Sequence, residues 1–172
     1  VAHNPSSNLK LASGFAPVVE MRRRGIRVGL GTDGAVSNNR LDMFHAMDLA
    51  AKIHKVRERD ATVMKALDVV RMATIDGARS LGMEAAIGSL EAGKKADLIV
   101  LDLTGAAYEP IYNIYSHLVY VADGETVQST MVAGRWLMKD RKLLTLAPDR
   151  LERIIRKYRQ QFLAATAGPA AP

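Results

Sequence analysis

The stretch Val28-Gly29-Leu30-Gly31-Thr32-Asp33-Gly34-Ala35-Val36-Ser37-Asn38-Asn39 decides the reading of this 172-residue chain. Val28 and Leu30 alternate with glycines, as the buried face of a strand does. Gly31 and Gly34 allow a sharp turn and a close approach by another group. Asp33 therefore stands where a buried strand opens into a small-residue loop. In barrels of alternating strands and helices, that end of a strand carries the chemistry. A carboxylate there can ligate a metal or accept a proton. The alternative is that Asp33 only holds the turn by accepting from nearby backbone amides.

Upstream, residues 1–3 read as a strand end and residues 4–8 as a turn-rich loop. A helix is expected over residues 15–24 with Pro17 in its first turn, and a strand over 26–30. Strand, helix, strand in this span is a βαβ unit, and such units build parallel sheets. His3-Asn4 thus ends one strand much as Asp33 ends the next. Val1 opens directly in a strand, which points to a segment of a longer protein.

Downstream, Met43, Met47, Ala50 and Ile53 trace a helix over residues 41–56. His45 and His54 lie on it without the spacing of three or four that a metal pair needs, so they read as exposed or partly buried helix histidines. Residues 57–60 form a charged loop, and Asp60 or Thr62 is expected to cap the next helix. Val63, Leu67, Val70 and Thr74 trace its apolar face, and a short second helix ends at Gly82. From Ile87 the pattern changes to short strands: 87–90, 96–101, 116–121, then a hairpin of 127–132 and 135–138 turned at Ala133-Gly134, and 142–144. Leu151, Ile154, Ile155, Tyr158 and Phe162 stripe a last helix opening at residues 147–149, expected to dock on its own protein. Residues 164–172 read as a disordered small-residue tail.

The net charge of +6 raises nucleic-acid binding. The cations are scattered, however, and aromatic residues are too few to interleave with them for base stacking. A solvated basic surface is the better reading, although a module driven by the basic last helix is the third functional alternative. There is no cysteine, which excludes disulfides and thiolate metal sites. No apolar run approaches a membrane span and no leader is visible. The expectation is a cytoplasmic protein.

Read in order, His3-Asn4-Pro5-Ser6-Ser7-Asn8-Leu9-Lys10-Leu11-Ala12-Ser13-Gly14, Gly29-Leu30-Gly31-Thr32-Asp33-Gly34, Ser37-Asn38-Asn39 and Leu41-Asp42-Met43-Phe44 resemble the metal-dependent amidohydrolase superfamily. Within it they are most similar to the aminohydrolases of methylthioadenosine, S-adenosylhomocysteine and triazines. Met72-Ala73-Thr74, Gly77-Ala78, Leu81-Gly82 and residues 93–102 continue the resemblance, which runs to about the final helix. It implies an α/β fold: the C-terminal portion of a TIM-type barrel (its last two βα units), followed by strands of a small β-sandwich and a C-terminal helix. The corresponding divisions are 1–86 for the barrel part, 87–146 for the sandwich strands, and 147–172 for the helix and tail.

The resemblance makes Asp33 a metal ligand at the end of the eighth barrel strand, where it also helps activate the hydrolytic water and relay its proton. Ser37 matches a residue lining the nucleobase pocket, and Asp33 and Ser37 together form the expected substrate-binding pair. His3 matches a strand-seven histidine that is not a ligand and reads as supporting or structural. One divalent metal is implied, zinc first and iron second. The family's His-x-His pair, its further histidines and its catalytic glutamate are not here; the four histidines are His3, His45, His54 and His117. A catalytic zinc site takes about three protein ligands, so the others must come from sequence outside this chain. The expected activity is hydrolytic deamination of an aminated heterocycle, thioadenosine-like, by a longer parent, with this segment inactive alone. Expected partners are a small nucleoside or heterocyclic amine and possible further copies of the protein, with neither nucleic acid nor membrane. The rival reading is a non-catalytic scaffold or interaction protein derived from the same fold.

Overall fold

Two short parallel strands, β1 (Ala2–His3) and β2 (Gly29–Leu30), pair with Ala2 opposite Gly29 and His3 opposite Leu30. The structure, a computed structural model, describes residues 1–166. Between the strands lie α1 (Pro5–Lys10) and α2 (Val18–Arg23). The loop expected over residues 4–8 is thus a short helix. Pro5 occupies its start, where a missing N–H costs nothing, and the Asn8 amide donates to the Asn4 carbonyl at 3.1 Å. The second helix starts later than expected because Pro17 disfavours helical geometry at the residue before it and itself serves as the N-cap.

Beyond β2 come α3 (Ala35–Asn38) and α4 (Met43–Glu58). Asp42 caps α4, accepting from the amides of Phe44 and His45 at 2.9 and 3.3 Å. This satisfies two of the N–H groups that a helix start leaves unpaired. The buried face of α4 carries Phe44, Met47, Ala51 and His54, spaced by three and four residues. His54 is therefore a core residue, not the exposed or partly buried side chain expected.

Next come α5 (Ala66–Ala73) and α6 (Ile75–Ser80). Lys65, not Asp60 or Thr62, is the N-cap of α5, and its amide donates to the Asp68 carboxylate at 3.2 Å. Asp60 instead accepts from the Thr62 amide at 2.7 Å, closing its own turn. Val69 and Met72 form the buried side of α5, whereas Leu67 is exposed.

These helices close a core in which Val18, Val28, Val69 and Met72 are almost without exposure. A fully buried side chain of this kind is worth about 1.5–3 kcal/mol. Gly29 admits α6 against β2: a Cβ there would stand 2.8 Å from both the Gly77 Cα and the Ser80 Oγ.

In the second half, β3 (Leu98–Leu101), β4 (Val127–Val132), β5 (Arg135–Lys139) and β6 (Lys142–Leu143) form an antiparallel sheet in that order. The β4–β5 turn at Ala133-Gly134 is as expected. Two expected strands are not strands. The 116–121 stretch lies in α7 (Ile114–Tyr120), where the Ser116 amide donates to the Asn113 side chain at 3.1 Å. Val119 is buried and packs into the first-half core with Ala122, so a three-residue period wins over the alternating one. Residues 87–90 bend instead of extending, because Gly88 sits at φ +92° with its Cα face against Ala78 and Ile75.

The last helix, α8 (Pro148–Thr166), has no buried residue. Its stripe of Leu151, Ile154, Ile155, Tyr158 and Phe162 is exposed, so the expected docking is not made among the described residues. Residues 164–166 continue this helix rather than starting a tail; the rest of that expectation, residues 167–172, lies outside the described residues.

Candidate metal and substrate site

The ends of β1 and β2 lie side by side, because the Gly31 amide donates to the His3 carbonyl at 2.9 Å. The Asn4 side-chain oxygen lies over Gly31, where a Cβ would otherwise stand. Two residues on, Asp33 adopts φ +60°, the left-handed region that asparagine and aspartate enter more readily than other side-chain residues. This turns the chain out of the strand and into α3.

The Asp33 side chain is exposed and accepts from the Gly34 amide at 2.7 Å. Bonding from the Ser37 hydroxyl first, then the Gly34 amide and the Ser7 hydroxyl, holds its carboxyl below the usual carboxylate range. It is ionised at neutral pH and open to solvent. Ser37 stands one helical turn further on, its one hydroxyl proton directed between the Asp33 carboxylate and the Gly34 carbonyl, 3.0 Å from the latter. Asp33 and Ser37, the two site residues read from the sequence, are therefore brought together at one strand end.

His3 is not part of that mouth. It is buried, and its Nε2 lies 3.1 Å from the Nε2 of His54, the rings tilted by 48°. Burial first, then the neighbouring His54, pushes the His3 pKa down to about 4. Burial, then Arg57, pushes that of His54 down to about 4. Both rings are neutral, so one Nε2 donates and the other accepts, while both Nδ1 atoms are buried without partners. Sequence reading missed this pair; the signal was the spacing Met47, Ala51, His54, which places a histidine on the buried face.

It also gave no role to Asn38. That side chain is buried, donates to the Thr32 carbonyl at 2.6 Å and accepts from the Ser6 hydroxyl at 2.5 Å. Lys10 reaches across from α1 to the Val36 carbonyl at 3.1 Å and to the Asn39 side chain. The short helices α1 and α3 that follow β1 and β2 are thereby tied together beside Asp33.

Among the described residues no group of three or more His, Asp or Glu side chains could hold a metal ion. Asp33 suits one position of a mixed nitrogen and oxygen ligand set, and supplies one only. An apolar trough of about 720 Å³ lies elsewhere, between β2, α6 and the antiparallel sheet, lined by Leu30, Met72, Ala78, Leu98 and Met131.

Residues 1–137 match the model of the amidohydrolase family. The chain is 53% identical over 167 residues to 5-methylthioadenosine/S-adenosylhomocysteine deaminase 1 of Syntrophus aciditrophicus, covering 97% of this chain and 38% of the relative. It is 43% identical over 164 residues to 5'-deoxyadenosine deaminase of Methanosarcina mazei, covering 95% and 38%. Its structure matches an adenosine deaminase from Xanthomonas campestris with bound zinc at a TM-score of 0.91 and 40% identity, over 94% of this chain and 37% of that one. A zinc-complexed atrazine chlorohydrolase from Arthrobacter aurescens matches at 0.79 and 28% identity, over 91% and 34%. The chain thus spans under two-fifths of the length of these relatives. With the matched family model covering most of its residues, and an α/β fold shared with these solved hydrolases, the chain belongs to the amidohydrolase family.

Proposed function

We propose that this chain is the C-terminal portion of a metal-dependent aminohydrolase that deaminates an adenosine-type heterocycle. The observation that carries the reading is Asp33: an ionised, solvent-open carboxylate where β2 gives way to its loop, in a chain so similar to named adenosine-derivative deaminases. In this reading residues 1–86 contribute the last two βα units of a barrel, 87–146 strands of a small sandwich, and the division that begins at 147 the terminal helix. The apolar trough beside β2 is then a face that the remaining barrel packs against. The rest of the protein supplies the other metal ligands.

A divalent cation, zinc first and iron second, would lower the pKa of a water toward about 7 and make it a nucleophile at neutral pH. Asp33 would hold one position on that cation, and its carboxylate would take the proton of the attacking water. The oxygen bonds to the ring carbon bearing the amino group. Asp33 then returns the proton to the departing nitrogen as the carbon–nitrogen bond breaks, releasing ammonia. Its lowered pKa keeps it ionised and ready to ligate, and makes it a proton carrier for the moment of reaction only. Ser37, beside it, faces the heterocycle. The non-catalytic scaffold gains no observation of its own. No helix among the described residues is long and apolar enough to cross a membrane; a cytoplasmic homo-oligomer is the setting we propose.

The test is the full-length protein with Asp33→Ala, assayed for ammonia release from methylthioadenosine and for zinc content. Loss of a proton-transfer group costs about 10²- to 10⁴-fold, and loss of a ligand adds to that. Near-normal turnover would remove Asp33 from the mechanism. The 172-residue chain alone is expected to bind no stoichiometric zinc and to release no ammonia; either activity would overturn the division of ligands proposed here.

A further inference from the structure

We propose that Asn38 is a positioning residue for Asp33, tying the carbonyl of the residue before it to the first turn of α3 so that the carboxylate meets the metal and the reacting water in one geometry. The inference rests on the reading of Asp33 as ligand and proton carrier. Asn38 is the last residue of α3, four turn-closing positions beyond Gly34. Its side-chain amide donates to the Thr32 carbonyl, directly before Asp33, at 2.6 Å. Its backbone amide donates to the Gly34 carbonyl, directly after Asp33, at 3.0 Å. One residue therefore holds a carbonyl on each side of the turn, those of Thr32 and Gly34, and Asp33 lies between them at φ +60°.

A side-chain residue in that region is strained by about 1–3 kcal/mol and persists only where its surroundings over-determine it. The clamp is itself anchored. The Ser6 hydroxyl donates to the Asn38 Oδ1 at 2.5 Å, across from α1. Ser6, Asn38 and Thr32 thus form a chain of donor to acceptor that runs in one direction and fixes which way the amide faces. Asn38 is 6% exposed, so water cannot easily replace either bond. Asparagine is the side chain this place needs. It must accept on one side and donate on the other, and aspartate of the same shape would set an oxygen against the Thr32 carbonyl.

Residues that orient a metal ligand typically change metal affinity or activity by about 10- to 100-fold when lost. The experiment uses the full-length protein with Asn38→Asp, Asn38→Ala, Ser6→Ala and, as reference, Asp33→Ala. Zinc affinity is measured by chelator competition, and kcat and KM at saturating zinc. Both Asn38 variants are expected to bind zinc about 10- to 100-fold more weakly. At saturating zinc they should lose kcat with KM little changed, the signature of an interaction made in the transition state. Ser6→Ala should move the same two quantities in the same direction by less.

A merely structural role would lower the melting temperature and leave zinc affinity and kcat per folded, metal-loaded molecule as in the wild type; that result overturns the inference. Should the Asn38 variants not fold, Ser6→Ala decides, and a wild-type zinc affinity and kcat there overturns it equally. If Asp33→Ala keeps zinc and turnover, the reading of the site itself fails and takes the clamp with it. If Asp33→Ala is dead while the folded Asn38 variants are normal, only the clamp is lost.

Discussion

The buried imidazole pair makes this fold sensitive to mild acid. His3 and His54 touch through their Nε2 atoms at 3.1 Å and are each held at about 4, burial being the main cause in both. In the unfolded chain each would titrate near 6.5. Between about pH 6.5 and 4 the unfolded chain therefore binds more protons than the native one. The stability linked to the pair is complete above about 6.5 and drains as the pH falls. At about pH 5, one imidazole with this displacement costs about 2 kcal/mol of stability. The second ring adds to this, although a touching pair titrates as a unit and its terms do not simply double.

For a chain of this size 1 kcal/mol moves the melting temperature by about 2–4 °C, so the fall from neutral to about pH 5 is about 4–8 °C or more. The carboxylates held low by hydrogen bonding, Asp33, Asp60, Glu91 and Asp102, act in a lower window, below about pH 4, because lowered acids lose their contribution only as they protonate. The assay is thermal unfolding followed by circular dichroism at fixed ionic strength, for the wild type and for the double variant His3→Gln, His54→Gln. The wild type should lose stability steeply through this range and the double variant should not. A melting temperature flat from neutral pH to about pH 5, or the ring resonances of His3 and His54 titrating near 6.5, would refute the argument.

Two further outcomes test the packing beneath the site. Gly29→Ala places a methyl 2.8 Å from the Gly77 Cα, a backbone atom that cannot swing aside; overpacking of this kind costs about 1–3 kcal/mol, read as a lower urea midpoint, and an unchanged midpoint would mean that β2 and α6 do not meet so closely. Asp42→Ala removes the side chain that accepts from the Phe44 and His45 amides and should cost about 1 kcal/mol; Asp42→Asn should restore most of it, and equal melting temperatures for all three proteins would show that the cap is idle.

How far the sequence could be read depended on whether a signal was local. The end of β2 was legible because an apolar alternation, a glycine and one carboxylate follow each other within a few residues, and Ser37 lies one turn away on the same short loop and helix. The hairpin of β4 and β5 was legible for the same reason, at Ala133-Gly134. The stretch at 116–121 was misread because its apolar residues satisfy two periods at once. Only packing of Val119 against the helices of the first half selects the helical one. Residues 87–90 were misread because what bends them, Ala78 and Ile75 beside Gly88, is distant in sequence.

The same distinction separates Asp33 from the residues that hold it. An acid at a strand end announces itself, since few side chains at such a place would be charged without a use. An asparagine announces nothing, because its amide can serve any nearby donor and acceptor, and its partners are set by the fold. Asn38 draws one partner from six residues before it and the other from thirty-two before it. His3 and His54 are fifty-one residues apart. The strand-end carboxylate is therefore legible locally, whereas the bonds that join Ser6, Asn38 and Thr32 beside it appear only when α1, α3 and β2 are brought together.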